Sequence, residues 1–176
     1  EGVEIRLQAA QGRLAGPLHL DRLTLVTERI SIQAEGVDLE HELPSLLLGR
    51  FALGRLVAGT VSVKLAPSTT PPEPGPPQFL PSWLSIGLRE VGIGQLAIGL
   101  PNGTQLEFSD VSASGTVTSS RIQLDRAALD AGAWAARGSV GLVAREPLRL
   151  RGEIEWTVRA QPALSGTLDV KGDLAR

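Results

Sequence analysis

The chain has 176 residues, a formal net charge of −2 and a hydrophobic fraction of 42%, which together predict an ordered fold. Its 17 basic and 19 acidic residues are interspersed, which argues against nucleic acid or an anionic membrane surface as a partner. The absence of cysteine excludes thiol catalysis, disulfide scaffolds and thiolate zinc sites, and just two histidines remain for metal or proton-transfer chemistry. We therefore predict a protein that is not an enzyme, with no catalytic residues, no metal and no cofactor.

Strand-like alternation of polar and apolar residues runs to both ends of the sequence, which begins with Glu1 and not with methionine. The longest apolar runs, such as Leu46–Leu48, are far shorter than the roughly 20 residues of a membrane-spanning helix. No segment combines the basic and apolar regions of a signal peptide. We expect the sequence to be a segment of a longer protein that carries its targeting information elsewhere.

Alternation with a period of two residues dominates the chain and predicts strands with one apolar face. It is clear in Val3, Ile5 and Leu7 at the beginning and in many later runs of five to seven residues. The alternation changes phase at Asp21-Arg22 and again at Gly36. Such changes are typical of β-bulges or strand ends.

Two segments interrupt the alternation. Residues 44–49 have a proline suited to a first helical turn and a glycine suited to ending one, so we predict one short helix there. Residues 66–77 contain six of the twelve prolines, and they are expected to form an extended surface loop that can be shortened at little cost. This gives a first β-rich block over 1–65, a Pro-rich linker over 66–78 and a second β-rich block over 79–176.

Two glycine motifs lie in the second block. Pro101-Asn102-Gly103-Thr104 stands between alternating runs and predicts a hairpin with a type I′ turn, in which Asn102 and Gly103 both adopt positive φ. Residues 92–97 match a relaxed dinucleotide fingerprint, but no helix follows that could hold a pyrophosphate. We interpret these glycines as positions that ease strand curvature or a bulge.

The two histidines do not suggest a metal or catalytic site. His19 lies between two leucines, and His41 lies between Glu40 and Glu42. Adjacent residues of a strand point to opposite faces, so these glutamates cannot converge with His41 on one ion. We predict that both histidines are solvent-facing strand positions.

About ten predicted strands each have an aliphatic face, and a sheet must bury such a face or use it. The inward residues are Leu, Ile, Val and Ala, with just three Trp and three Phe in the chain. This favours an all-β, elongated curved sheet whose hydrophobic interior forms a groove, with the second block continuing the first; a closed sandwich stays open as an alternative. A dry aliphatic groove suits acyl chains, which need dispersion contacts and no fixed hydrogen bonds.

Strand phase assigns one residue set to the lining of this groove. A register error of one residue would turn a whole strand outward. The twelve candidate lining residues are Ile5, Leu7, Leu25, Ile32, Leu39, Val63, Leu88, Ile98, Phe108, Leu124, Leu150 and Trp156.

Four motifs, in their order and spacing, resemble a known family. They are Gly-Arg-Leu-Ala-Gly-Pro-Leu-His-Leu at 12–20, the run from Val37 to Arg50, Leu-Pro-Ser-Trp-Leu-Ser-Ile at 80–86, and Pro-Leu-Arg-Leu-Arg-Gly-Glu-Ile-Glu-Trp at 147–156. Together they resemble the N-terminal periplasmic part of the TamB family of translocation and assembly module proteins, which is related to the AsmA-like, bridge-like lipid-transfer proteins. The resemblance spans nearly the whole chain.

The resemblance implies a function in the Gram-negative cell envelope. Proteins of this family are anchored in the inner membrane and cross the periplasm as a taco-shaped β-structure with a hydrophobic interior. It implies phospholipid acyl chains as ligands, transport towards the outer membrane, and a TamA-like outer-membrane barrel as partner. The anchor and the barrel-binding region are absent from this sequence, so no partner-binding residue is assigned.

Two alternatives stay open at this point. The groove could hold unfolded strands of client proteins as a scaffold or chaperone-like component that aids outer-membrane protein assembly and secretion. The chain could also be a passive β-sandwich of a surface protein, with its apolar faces buried against each other.

Overall fold

The computed structural model describes residues 4–13, 16–27, 30–42, 50–67, 79–82, 84–144 and 148–174. Within these ranges the chain forms ten strands and no helix, which confirms the predicted all-β class. The predicted helix over 44–49 and nearly all of the Pro-rich linker lie outside the described residues. The strands are β1 (Glu4–Gly12), β2 (Leu18–Val26), β3 (Ile30–Glu42), β4 (Arg50–Leu65), β5 (Ser85–Gly99), β6 (Gln105–Val117), β7 (Arg121–Asp130), β8 (Trp134–Val143), β9 (Leu148–Val158) and β10 (Leu164–Leu174).

All ten strands lie in one open sheet, in the same order as in the sequence. Every neighbouring pair is antiparallel except β4 and β5, which are parallel. Substantial contacts between strands join hydrogen-bonded neighbours. The described part of the chain is therefore a single layer, and it does not pack two sheets face to face as a sandwich does.

One irregularity crosses the first six strands in a line. At this line each of their five pairings skips one position on each strand, while the residues on both sides of that position are paired. Three of the skipped residues have φ between +50° and +60°. We call this line the transverse irregularity; it consists of Ala9, Asp21, Gly36, Gly59, Gly94 and Asp110.

The transverse irregularity changes which residues share a face. Leu20 and Leu23 lie on the same side although they are three residues apart, and so do Ala34 and Val37. The phase changes seen in the sequence near Asp21 and at Gly36 are thus confirmed as parts of one feature. The glycines of the rejected dinucleotide motif lie inside β5, with Gly94 on this line, as interpreted from the sequence.

The hairpin between β5 and β6 differs from the predicted type I′ turn. The Gly103 N–H donates to the Leu100 carbonyl (3.0 Å), and the Leu100 N–H donates to the Thr104 carbonyl (2.8 Å). Gly103 has φ +84°, but Asn102 is not among the residues with positive φ. This is a three-residue loop, a type I turn closed by a glycine bulge. Pro101 explains the difference, because its fixed φ fits the first central position of a type I turn.

The parallel register changes what is expected of the Pro-rich linker. Leu65 ends β4 at the level where β5 ends, so residues 66–84 must return along all 15 residues of β5, about 50 Å. Fully extended, the steps from Leu65 to Ser85 reach roughly 68 Å. Deleting three residues within 68–78 leaves a reach of roughly 58 Å from Leu65 to Ser85 and costs at most the hydrogen bond from the Phe79 N–H to the Ser119 carbonyl, so the thermal midpoint should fall little.

Deleting six residues should instead lower the midpoint strongly, because the remaining reach of roughly 48 Å leaves no length to step off the sheet. Thermal unfolding followed by circular dichroism compares the two deletions. Equal midpoints for both would contradict the parallel β4–β5 register.

Gly94 provides a test of the transverse irregularity. A Cβ at this position would lie 2.8 Å from the Gly59 carbonyl oxygen, whereas a Cβ at Gly87 on the same strand would meet nothing within 4 Å. Gly94→Ala should lower the free energy of unfolding by about 1–3 kcal/mol, and Gly87→Ala by less than about 0.5 kcal/mol. Urea denaturation measures both, and equal losses would mean that the strands are not this close.

Candidate functional site: the apolar face of the sheet

Residues that are paired across a ladder share one face of the sheet. Followed from pair to pair, one row crosses all ten strands without meeting a polar side chain. We call the side that carries this row the apolar face. The row is Gly12, Leu18, Leu39, Leu56, Val91, Ala113, Ala127, Gly138, Ile154 and Leu168.

Parallel rows widen the apolar face on both sides of this one. Towards the end of the sheet where β5 ends, they contain Ile5, Leu25, Ile32, Val63 and Ile98, then Leu7, Leu23, Ala34, Val61, Leu96 and Phe108. Towards the opposite end they contain Leu53, Leu88, Gly115, Leu124 and Val140, then Ile86, Val117, Ile122, Leu142 and Leu150.

All twelve candidate lining residues lie on the apolar face. Eleven belong to the rows above, and Trp156 lies there in a row with Leu129, Ala136 and Gly166. The structure thus brings the candidates together on one surface. That acyl chains occupy this surface stays a prediction.

Burial on the apolar face is highest near the transverse irregularity. Val37 is 2% exposed and Leu20 4%, and they pack with Ala34, Ala58 and Val61 in one cluster. These five were not among the candidates. Ala34 and Val61 continue the period of two from Ile32 and Val63, and the spacing of three residues between Ala34 and Val37 is the signal that extends the same face across the irregularity.

Exposure of the apolar face rises towards the two sheet edges. Ile5 is 60% exposed and Leu7 55% on β1, while Leu164 and Leu168 on β10 are 56% and 52% exposed. No strand beyond β1 or β10 covers them within the described part of the chain. The apolar surface therefore runs from one edge to the other without a polar border.

Two aromatic contacts lie on the apolar face of the second half. The rings of Phe108 and Trp134 meet edge to face, with centroids 6.3 Å apart and an interplanar angle of 87°. Gly166 lies opposite Trp156, and a Cβ there would come within 2.8 Å of the indole ring. The glycine therefore lets the indole lie flat over β10.

The opposite side of the sheet is polar. Its ion pairs include Arg22 with Glu35 (2.7 Å) and Arg137 with Glu155 (2.6 Å), which join neighbouring strands. Exposed pairs of this kind contribute about 0–1 kcal/mol each. Their main consequence is chemical: one face of the sheet binds water, and the other cannot.

His19 lies on the polar side, as predicted for a solvent-facing position, whereas the side chain of His41 lies outside the described ones. The His19 Nδ1 is 2.7 Å from the Asp38 carboxylate, and this hydrogen bond raises the pKa of His19, with a smaller contribution from Asp21. On the β7–β8 turn, the hydrogen bond from Arg159 lowers the pKa of Asp130. His19 and Asp130 thus each belong to an ion pair at the surface, and these pairs join neighbouring parts of the sheet.

A shallow depression of about 480 Å³ adjoins His19 on the polar side. Polar residues such as Asp38 and Arg55 and apolar residues such as Leu39 and Val57 line it together, so it is a depression of mixed character. Within the ranges that the structure describes, no cluster of three or more His, Asp or Glu could hold a metal ion. Those ranges also hold no helix long and apolar enough to cross a membrane.

Comparisons of the chain with protein-family models, with curated proteins and with solved structures find no match.

The His19–Asp38 pair gives a pH prediction. Because the folded pKa of His19 is raised above its ordinary 6.5, the pair stabilises the fold fully below pH 6.5, and this contribution is lost as the pH rises through the folded pKa. Asp38→Asn should therefore lower the free energy of unfolding in acid and have no effect at alkaline pH. Urea denaturation across this range measures it.

Glu35→Gln is the matched control, since it breaks the exposed pair with Arg22 on the same face. Its effect should not change between pH 6 and pH 9, because no histidine takes part. An Asp38→Asn effect that grows with pH would contradict the assigned pair.

Proposed function

We propose that this chain is part of a TamB-like bridge protein that carries phospholipids by their acyl chains along the apolar face, through the periplasm towards the outer membrane. One observation supports this most strongly: a row of apolar residues crosses all ten strands, with no second layer over it among the described residues. In this proposal, parts of the protein outside this sequence anchor it in the inner membrane and contact a TamA-like barrel.

The dimensions of the row suit movement along the sheet. Ten strands at about 4.8 Å spacing make a path of roughly 43 Å from β1 to β10. This path runs across the strands, so a lipid that follows it passes from strand to strand without leaving apolar surface. Headgroups would point away from the sheet into water.

The chemistry of the apolar face favours a mobile ligand over a fixed one. The side chains of the row, such as Leu56, Val91 and Ile154, make dispersion contacts and have no donor or acceptor. Each such contact is weak, and no position differs enough from the next to trap an acyl chain. A catalytic or stoichiometric binding site would need convergent polar groups, which this row does not provide.

A scaffold for client β-strands is the second candidate function, and the open edges favour it. Both β1 and β10 have a neighbour on just one side in the described residues, so each could pair with an added strand. The two functions differ in their ligand: a conduit holds phospholipid after purification, whereas a scaffold holds peptide.

The decisive variant places a charge on the apolar path. Ile98→Asp should leave the chain folded, because Ile98 is half-buried and a carboxylate there can reach water, but it should interrupt the dry surface. We expect the phospholipid extracted per mole of protein to fall at least about tenfold. Leu88→Asp, on the same strand and the same face, should act alike.

Ser62→Asp is the matched control. Ser62 is paired with Ala97 on the polar side, next to Val63, so the same charge is added to the opposite face. This variant should bind lipid like the parent. Parent-level lipid in folded Ile98→Asp and Leu88→Asp variants would contradict the conduit, and extracted peptide in place of lipid would favour the scaffold.

A further inference from the structure

Basic side chains collect at one end of the polar side, where β5, β7 and β9 begin. Arg121 and Arg149 lie in one row of the ladder, with Val143 between them. Arg151 and Lys171 lie directly opposite each other in the next row. We call these two arginine positions and the Arg151–Lys171 pair the basic rim, and all four side chains are exposed. The strand register therefore brings together cations that lie far apart in the sequence.

The positive charge of the basic rim is largely unpaired. Arg149 has Asp173 as an ion-pair partner, at 3.9 Å. Among the described residues, Arg121, Arg151 and Lys171 form no ion pair, and this includes Arg151 with the nearby Glu153. Both β7 and β9 have a neighbouring strand on each side. The unpaired state of the two arginines is therefore a property of the interior of the sheet.

Arginines towards the opposite end of the sheet are neutralised. Arg6 pairs with Glu4, Arg22 with Glu35 and Arg159 with Asp130. The chain as a whole has a formal net charge of −2. The excess of positive charge is thus a feature of one end of the sheet and not of the whole polar side.

The basic rim lies next to the apolar face, around the end of the strands. Ile122 and Leu150 follow Arg121 and Arg149 in the sequence, and they lie on the apolar face in one row with Leu142. Arg121 is the first residue of β7, and Arg149 is the second residue of β9. Their long side chains can therefore extend past the end of the sheet, with the charged groups in water. A ligand on the apolar row can meet these cations at the same end.

We propose that the basic rim binds the phosphate of a phospholipid whose acyl chains lie on the apolar face. This inference rests on the proposed function and specifies which part of the chain contacts the headgroup. A guanidinium group suits phosphate because it donates hydrogen bonds in a fixed planar arrangement. A bound phosphate also offsets the repulsion between Arg151 and Lys171, because like charges directly across a ladder are unfavourable.

The spacing of the basic rim suits a headgroup that moves. Arg121 and Arg149 are two strands apart, about 10 Å along the direction of the apolar row that crosses the sheet. Because the four cations are exposed, each contact with a phosphate is weak and the headgroup stays hydrated. A phosphate can therefore pass from one arginine to the next while its acyl chains follow the apolar face.

Two ligands that differ in the phosphate test the proposal. Dioctanoyl phosphatidylglycerol and dioctanoylglycerol have the same acyl chains, but just the first carries a phosphate. For the parent chain, titration followed by tryptophan fluorescence should give a dissociation constant at least about tenfold lower for the phospholipid. The triple variant Arg121→Gln, Arg149→Gln and Arg151→Gln should lose this preference and keep the parent affinity for dioctanoylglycerol.

The matched control removes three arginines from the same side of the sheet, away from the basic rim. Arg6→Gln, Arg22→Gln and Arg137→Gln together change the net charge equally, and all three residues belong to ion pairs. This control should keep the preference for the phospholipid. Urea denaturation checks that both triple variants are folded.

The outcomes separate the basic rim from the proposed function. A parent that binds both ligands equally overturns the basic rim, and so does a rim variant that keeps the parent preference or a control that loses it. In each of these cases binding of acyl chains to the apolar face still stands. A parent that binds neither ligand overturns the basic rim and the proposed function together.

Salt and free phosphate test the nature of the contact. Raising the NaCl concentration from about 50 to 500 mM should abolish the preference, because exposed charges are screened, and should not weaken the binding of dioctanoylglycerol. Inorganic phosphate at about 10 mM should change phospholipid binding less than about twofold, since it has no acyl chains. A preference that persists at high salt, or displacement by inorganic phosphate, would overturn the proposal.

Discussion

A sheet with one apolar face must cover that face, and this chain offers no second layer among its described residues to do so. Contacts run from each strand to its hydrogen-bonded neighbours, and the buried side chains are few: a cluster around Leu20 and Val37, with Leu53 and Ala144 outside it. Elsewhere the aliphatic side chains stay half-exposed. Something beyond the described residues is needed to remove this surface from water, whether another part of the protein, a ligand or a partner.

The transverse irregularity keeps the apolar face continuous. Without it, the side chains beyond Gly36 and Gly59 would change to the polar side, and the surface would be interrupted across six strands. The positive φ of Gly36 and the close approach of Gly94 to Gly59 explain why glycine recurs at this line. Glycines that resemble a nucleotide motif in the sequence thus have a purely structural reason here.

Much of the fold could be predicted because the period of two is strong. It identified the all-β class. It also assigned the twelve lining residues to a single face, and the strand register places them on a single face. The parallel β4–β5 pair could not be predicted, since alternation is the same in parallel and antiparallel strands. The turn at Asn102 was assigned to the wrong type because the dipeptide Asn-Gly was given more weight than Pro101. The pairing of like charges on β9 and β10 depends on register, which sequence alone does not provide.

The most direct measurement of the central claim is photo-crosslinking of lipid to single positions. Benzoylphenylalanine at Leu56 or Ile154 lies on the row that crosses the apolar face, and at Val57 or Glu155 it lies one residue away on the polar side. If acyl chains occupy the apolar face in the cell envelope, irradiation crosslinks phospholipid at the first two positions and not at the other two. Equal crosslinking on both faces, or none on the apolar face, would contradict the account.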